Sequence, residues 1–137
     1  MKKYINIAFY YAIFALASGV FFREFTKING FTGKTTLSLI HTHSFLLGMV
    51  MFLLITALSK SFNFEGNKKF KFFFITYNIG VPITIIMLFV RGITQVLNLT
   101  LSKGANASIS GMAGIGHILT GIGIILFFMS LKELADK

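Results

Sequence analysis

Three histidines are the residues of this sequence whose type and position best suit chemistry. His41 and His43 lie near the start of one apolar segment, and His117 lies within another. Ionisable side chains are costly inside a membrane span and usually face a protein interior, so each is a candidate functional residue. If both segments are helices, His41 and His117 each lie roughly 10 Å below the same surface. Two imidazoles at one depth predict the axial ligation of a b-type haem between two helices.

Small residues accompany these histidines at helical spacing. Gly48 shares a helix face with His41, and Gly114 and Gly121 share one with His117. A planar macrocycle between helices needs small neighbours, so the three glycines are predicted to border the haem. His43 points about 200° around the helix from His41. It is therefore the alternative ligand if the other face of that helix is the inner one.

Basic residues beside the segments supply candidate partners for the haem propionates. Arg23 and Arg91 each close an apolar segment, and Lys27 follows Arg23 by one helical turn. A guanidinium group binds carboxylates well, so these three residues are predicted to contact the propionates. Their alternative role is that of interfacial anchors, and Glu24 is expected to hold Arg23 in place.

Other functions remain open alternatives at this point. The histidines can serve only as hydrogen-bonding residues between helices, in a small transporter or an accessory membrane subunit. Three histidines can also hold copper or zinc, although His41 and His43 point to nearly opposite sides of a regular helix. Polar residues in the other two segments suggest contact with a quinone or another redox partner: Tyr10, Tyr11, Tyr77 and Asn78.

The composition excludes several classes of protein. Of the 137 residues, 55% are hydrophobic and only 12% are charged, whereas a soluble domain has about a quarter charged residues. The mean hydropathy is +0.79. The net charge of +9 comes from short basic clusters between apolar segments, a pattern of membrane topology rather than of nucleic-acid binding. Without cysteine, the chain has no disulfide and no thiolate metal site.

Four apolar segments are long enough to cross a bilayer as helices, which takes roughly 20 residues. They cover residues 4–22, 37–58, 72–90 and 109–129, and none contains Lys, Arg, Asp or Glu. Backbone polar groups must be satisfied within each segment in lipid. The sequence therefore predicts an all-α fold: one polytopic membrane domain over residues 1–137, built as an up-down-up-down four-helix bundle in contact with lipid. Pro82 is expected to kink the third helix.

The distribution of lysine and arginine predicts the orientation. One side of the membrane would carry eight of these residues, including Lys2, Lys3 and the cluster at 68–71, and the other side would carry five. Because basic residues accumulate in cytoplasmic loops, both termini are predicted to be cytoplasmic in a plasma-membrane protein.

Three short motifs resemble those of a small four-helix membrane family known mainly from low-GC Gram-positive bacteria. They are Phe22-Arg-Glu-Phe-Thr-Lys27, then His41-Thr-His43 with Leu47-Gly48, and Gly114-Ile-Gly-His117 with Gly121. Within that family the chain is similar to the haem-sensing membrane proteins. The resemblance implies a haem-binding membrane protein that protects the cell against haem and oxidative stress, with haem redox activity rather than classical enzyme catalysis. A homo-oligomer is compatible with this expectation.

Overall fold

The computed structural model describes residues 1–136 and contains four long helices. They are α1 (Lys2–Ile28), α2 (Leu37–Leu58), α3 (Lys68–Val96) and α4 (Lys103–Ala135). No strand occurs in the described range. Each helix is long and apolar enough to cross a membrane. The predicted all-helical bundle is thereby confirmed, and the chain is a multi-pass membrane protein.

Three of the helices extend beyond the apolar segments from which they were predicted. α3 begins at Lys68 because Asn67 caps it: the side-chain oxygen of Asn67 accepts a hydrogen bond from the Phe70 N–H at 2.9 Å. Ser102 caps α4 in the same way, with the Ala105 N–H at 3.1 Å. Caps of this kind satisfy backbone donors that an apolar segment alone leaves unpaired. The polar ends of the spans are therefore helical as well.

The second helix contains a π-helical segment at Ser44–Val50, directly after His43. Its buried positions show why. Ile40, Ser44, Gly48 and Phe52 are all buried and recur every four residues, a longer period than the 3.6 residues of an α-helix. The wider turn keeps these residues on one face of α2.

The helices pack in chain order, α1 on α2, α2 on α3 and α3 on α4. The α3–α4 interface is the most intimate because glycines allow the backbones to approach. A Cβ atom on Gly80 would lie 2.6 Å from the Thr120 nitrogen, and one on Gly116 would lie 2.8 Å from the Thr84 nitrogen. For the described residues, α4 shares no extended packed interface with α1 or α2. One broad face of α4 is consequently left uncovered.

Aromatic side chains fill the core at the end of the bundle where the chain begins. Phe52, Phe73 and Tyr77 are fully buried, and Phe127 is nearly so. The rings of Phe73 and Phe127 lie 4.9 Å apart between centroids, which joins α3 to α4. In the opposite half of the bundle, Phe21 of α1 stacks on Phe89 of α3 with 5.1 Å between ring centroids.

Candidate functional site

His41 faces α1 rather than another histidine. Its Cβ would lie 3.9 Å from a Cβ placed on Gly19, so the small residue of α1 makes room for the imidazole. The Nδ1 atom is buried and has no hydrogen-bond partner in the described part of the chain. The predicted haem ligand His41 therefore sits at the α1–α2 contact.

His43 and His117 share a different arrangement. The Nδ1 atom of His43 lies 2.8 Å from the Leu39 carbonyl oxygen, and that of His117 lies 2.7 Å from the Ala113 carbonyl oxygen. A carbonyl oxygen can only accept, so each Nδ1 carries a proton, which leaves Nε2 as the nitrogen that a metal would bind. This is the tautomer and the backbone contact that metal-binding histidines typically have.

The depths of the histidines follow from the contacts of their helices with α3. Leu37 packs against Gly92, and Gly116 packs against Thr84. Counting 1.5 Å per residue along each helix, His117 lies roughly 8 Å deeper than His41 and roughly 5 Å deeper than His43. The expected match in depth between His41 and His117 is not found, because α4 begins earlier than the apolar segment indicated.

The predicted glycines divide into two groups. The space beside Gly48 is occupied by the ring of Tyr11 on α1, which a Cβ on Gly48 would overlap. At Gly114 and Gly121 a Cβ would meet nothing within 4 Å. His117 lies between these two glycines in sequence, at helical spacing and exposed on the same side of α4. We call the surface formed by Gly114, His117 and Gly121 the open face of α4.

Arg91 reaches from α3 to α4 above this open face. Its guanidinium group donates hydrogen bonds to the side chain of Asn106 and, at 2.9 Å, to the Ser110 hydroxyl. Ser110 precedes His117 by seven residues, so it lies on the same side of α4 about 10 Å nearer the helix start. The structure thus brings Arg91 to the helix face that carries His117.

Arg23 and Lys27 lie elsewhere, near the end of α1. The side chain of Arg23 is 81% exposed, and its nearest acidic partner is Glu24 at 3.8 Å. Lys27 is exposed in the last turn of α1. Arg91 donates its hydrogen bonds to Asn106 and Ser110 of α4, and among the described residues no hydrogen bond joins it to Arg23 or Lys27.

The polar residues considered for a quinone site have separate contacts. The Tyr77 hydroxyl donates a hydrogen bond to the Leu47 carbonyl oxygen at 2.9 Å, within the π-helical segment. Asn78 donates to the Phe74 carbonyl oxygen of its own helix at 2.7 Å. Tyr11 stacks on Phe52, and Tyr10 is exposed. Tyr10 and Tyr11 line an apolar groove between α1 and α3 of about 340 Å³.

The histidines do not form a three-ligand metal centre. Residues 1–136 contain no group of three or more His, Cys, Asp or Glu side chains that could hold a metal ion. The copper or zinc site considered from the sequence would need all three imidazoles at one point. The fold instead turns His41 toward Gly19 of α1.

Two features of the site were not predicted from the sequence. One is the pair of carbonyl contacts that fix the rings of His43 and His117, since any histidine four residues after a helical carbonyl can make this bond. The other is the π-helical segment next to His43, a kind of distortion that often marks functional sites. The four-residue recurrence of buried positions from Ile40 to Phe52 is the signal that could have indicated it.

Comparison with known proteins gives one relationship. No curated protein and no solved structure matches the chain. A family model matches residues 1–134, which is nearly the whole sequence. The chain therefore belongs to the family described as "Protein of unknown function (DUF2871)".

Proposed function

We propose that this protein binds a b-type haem within the membrane, in the space between α2 and α4, and uses it in redox protection. The observation that carries the proposal is the matched state of His43 and His117. Both rings have Nδ1 fixed by a backbone carbonyl and Nε2 available, on two helices that flank α3 without packing on each other. In this proposal His43 replaces His41 as the partner of His117, because His41 is turned toward α1.

The neighbouring residues fit a haem at this position. Gly114 and Gly121 leave open space beside His117, as a macrocycle edge requires. Arg91 offers a guanidinium group on the same side of α4, with geometry suited to a carboxylate such as a propionate. Arg23 and Lys27 lie on α1 and are not needed for this arrangement.

A bound haem would supply reversible one-electron chemistry of its iron. The chain's own residues would hold and orient the cofactor. The carbonyls of Leu39 and Ala113 would hold the Nδ1–H side of each imidazole and leave Nε2 free to bind the cofactor, and the apolar helices would exclude water from the site. Two imidazole ligands leave no open position on the iron, which favours electron transfer or haem storage over oxygen chemistry.

The test is the absorption spectrum of the purified protein from haem-replete cells, recorded oxidised and reduced. We expect a Soret band with the low-spin features of bis-histidine ligation. His117→Ala and His43→Ala should each remove that low-spin spectrum, whereas His41→Ala should leave it unchanged. Absence of a Soret band after haem addition would refute the proposal. Loss of the low-spin spectrum in His41→Ala but not in His43→Ala would restore His41 as the ligand.

A second variant pair tests the open face itself. Gly114→Leu should lower haem occupancy severalfold by filling the space beside His117. Gly104→Leu makes the same change about 20 Å from His117 along α4, also in open space, and should leave occupancy unaltered. Equal haem loss in both variants would show that the effect is not local to His117.

A further inference from the structure

Three lysines without acidic partners surround a cleft at the end of the bundle where α1 and α3 begin. The cleft has a volume of about 610 Å³, and its lining includes Lys3, Lys68 and Lys71. Lys3 Nζ lies 4.0 Å from the centre of the Phe74 ring, which holds the ammonium group at the wall of the cleft. We call this space the lysine cleft.

None of the three lysines of the lysine cleft forms an ion pair within residues 1–136. The two ion pairs among residues 1–136 join Arg23 to Glu24 and Lys69 to Glu133. Neither involves a lysine that lines the lysine cleft. Glu65 and Glu133 line a neighbouring cleft that shares Gly66 and Asn67 with the lysine cleft. Because its own lining has three lysines and no carboxylate, the lysine cleft favours an anion.

The start of α3 adds hydrogen-bond donors to this charge. The first backbone N–H groups of a helix have no partner within it and carry the positive end of the helix dipole, so they attract anions. Asn67, which lines the lysine cleft, is only 8% exposed, and its Nδ2 group has no hydrogen-bond partner. A buried amide donor without a partner is costly and independently indicates a missing acceptor.

The rest of the lining is apolar and continues toward the lipid. Phe74 and Ile75 line the lysine cleft, and Ile75 is 46% exposed on the outer surface of α3. A cationic mouth above an apolar wall, at the end of a membrane span, matches the layout of a phospholipid. A free phosphate would use only the mouth.

We infer that the lysine cleft binds an anionic phospholipid, with its phosphate held by Lys3, Lys68, Lys71, Asn67 and the α3 N-terminus and an acyl chain along Phe74 and Ile75. The site is independent of the proposed haem, which lies in the other half of the bundle. The bound lipid would contact both α1 and α3 at the end of the bundle where Asn67 caps α3.

The experiment measures binding of phosphatidylglycerol to the full-length protein in neutral detergent by native mass spectrometry, with phosphatidylcholine as the reference lipid. The variant Lys3→Ala/Lys68→Ala/Lys71→Ala should weaken phosphatidylglycerol binding by at least about tenfold. The matched control Lys2→Ala/Lys60→Ala/Lys132→Ala removes the same charge from the same end of the bundle. It should change binding by less than about twofold. Equal weakening in both would overturn the inference in favour of general charge attraction.

Asn67 provides a variant pair that separates binding from folding. Ser and Asp both cap helices well, so Asn67→Ser and Asn67→Asp should keep the stability of α3. Asn67→Ser keeps a capping oxygen but removes the amide group and shortens the side chain, so it should weaken phosphatidylglycerol binding severalfold. Asn67→Asp places a carboxylate in the lysine cleft and should nearly abolish binding. Unchanged binding in Asn67→Asp would overturn the assignment even if the lysine variants behave as expected.

Glycerol 3-phosphate and inorganic phosphate distinguish a lipid from a free anion. Both should bind far more weakly than phosphatidylglycerol, and Ile75→Ser should weaken only the lipid. If either soluble phosphate displaces phosphatidylglycerol at equal concentration, the apolar wall plays no part and the lipid assignment fails.

Discussion

At the scale of single residues, Tyr77 shows how this bundle satisfies a polar group deep among its helices. The ring is fully buried, and the hydroxyl donates to the Leu47 carbonyl of α2. This bond joins α3 to the π-helical segment, where the backbone hydrogen-bonding pattern is altered. A tyrosine that the sequence offered as a quinone contact thus has a bonding partner inside the fold.

Removing that hydroxyl should destabilise the bundle modestly. We expect Tyr77→Phe to lower the free energy of unfolding by about 0.5–1.5 kcal/mol, because the Leu47 carbonyl loses a donor in an apolar environment. Tyr10→Phe removes the same group from an exposed ring and is the matched control. Unfolding of the purified protein in mixed detergent micelles measures both. A Tyr77→Phe variant as stable as the control would show that the bond contributes nothing.

The sequence identified the three histidines as candidate functional residues but not the direction in which each side chain points. His41, His43 and His117 stand out because they are the only histidines in an apolar chain. The sequence did not show which face of α2 points inward, because His41 and His43 lie two residues apart on nearly opposite sides of the helix. The choice between them depends on where α1 packs, and the contact of Gly19 with His41 is a tertiary fact.

At the scale of helices, the glycines of α4 have two distinct uses. Gly116 lies against Thr84 of α3, where no Cβ fits, while Gly114, two residues earlier, borders open space. The sequence predicted a role for Gly114 beside His117 and none for Gly116. Only the packing of α3 shows that Gly116 belongs to a buried interface and Gly114 to an open face.

This division predicts that a Gly→Ala substitution has different effects at the two positions. Gly116→Ala should destabilise the α3–α4 interface by about 1–3 kcal/mol, because the new methyl group would press on the Thr84 backbone. Gly114→Ala should leave stability nearly unchanged. Comparing the unfolding midpoints of the two variants in the same detergent checks the prediction. Similar losses in both would contradict the packing described for α4.

The number of membrane-spanning helices could be predicted because a span must be about 20 apolar residues long, and such segments are visible in the sequence. The positions of the helix ends were harder to predict. Caps at Asn67 and Ser102 extend α3 and α4 through residues whose hydropathy gives no sign of helix. Because α4 begins after Ser102, His117 lies farther from the start of its helix, and deeper relative to His41, than the apolar segment indicated.

At the scale of the whole molecule, four helices in up-down order place the start of α1, the end of α4 and the 59–67 loop at one end of the bundle. Most of the basic residues lie at this end, including the three lysines that line the lysine cleft. The distribution of these residues predicts that this end is cytoplasmic. An anionic leaflet surface would then face the lysine cleft directly.

The absence of cysteine makes this orientation simple to test. Single cysteines at Ser61, Thr100 and Asp136 fall on exposed positions outside the apolar core of the spans. In intact cells, an impermeant maleimide should label Thr100→Cys and should label Ser61→Cys and Asp136→Cys only after the cells are opened. Labelling of all three in intact cells would contradict a four-span topology, and the reverse pattern would invert the predicted orientation.

The π-helical segment has a consequence for how sequences of this family diverge. Because Ser44–Val50 holds an extra residue in its turns, the loss of one residue there would restore an ordinary α-helix without shortening the span greatly. The residues after the segment would keep their orientation, because the wider turn offsets the rotation that the extra residue would otherwise impose, and Phe52 and Ile55 would stay in the core. Relatives that are one residue shorter at this point should therefore keep apolar residues at those two positions, so that an alignment gap in the middle of α2 records the loss of the π-helical turn and no change in which residues face inward.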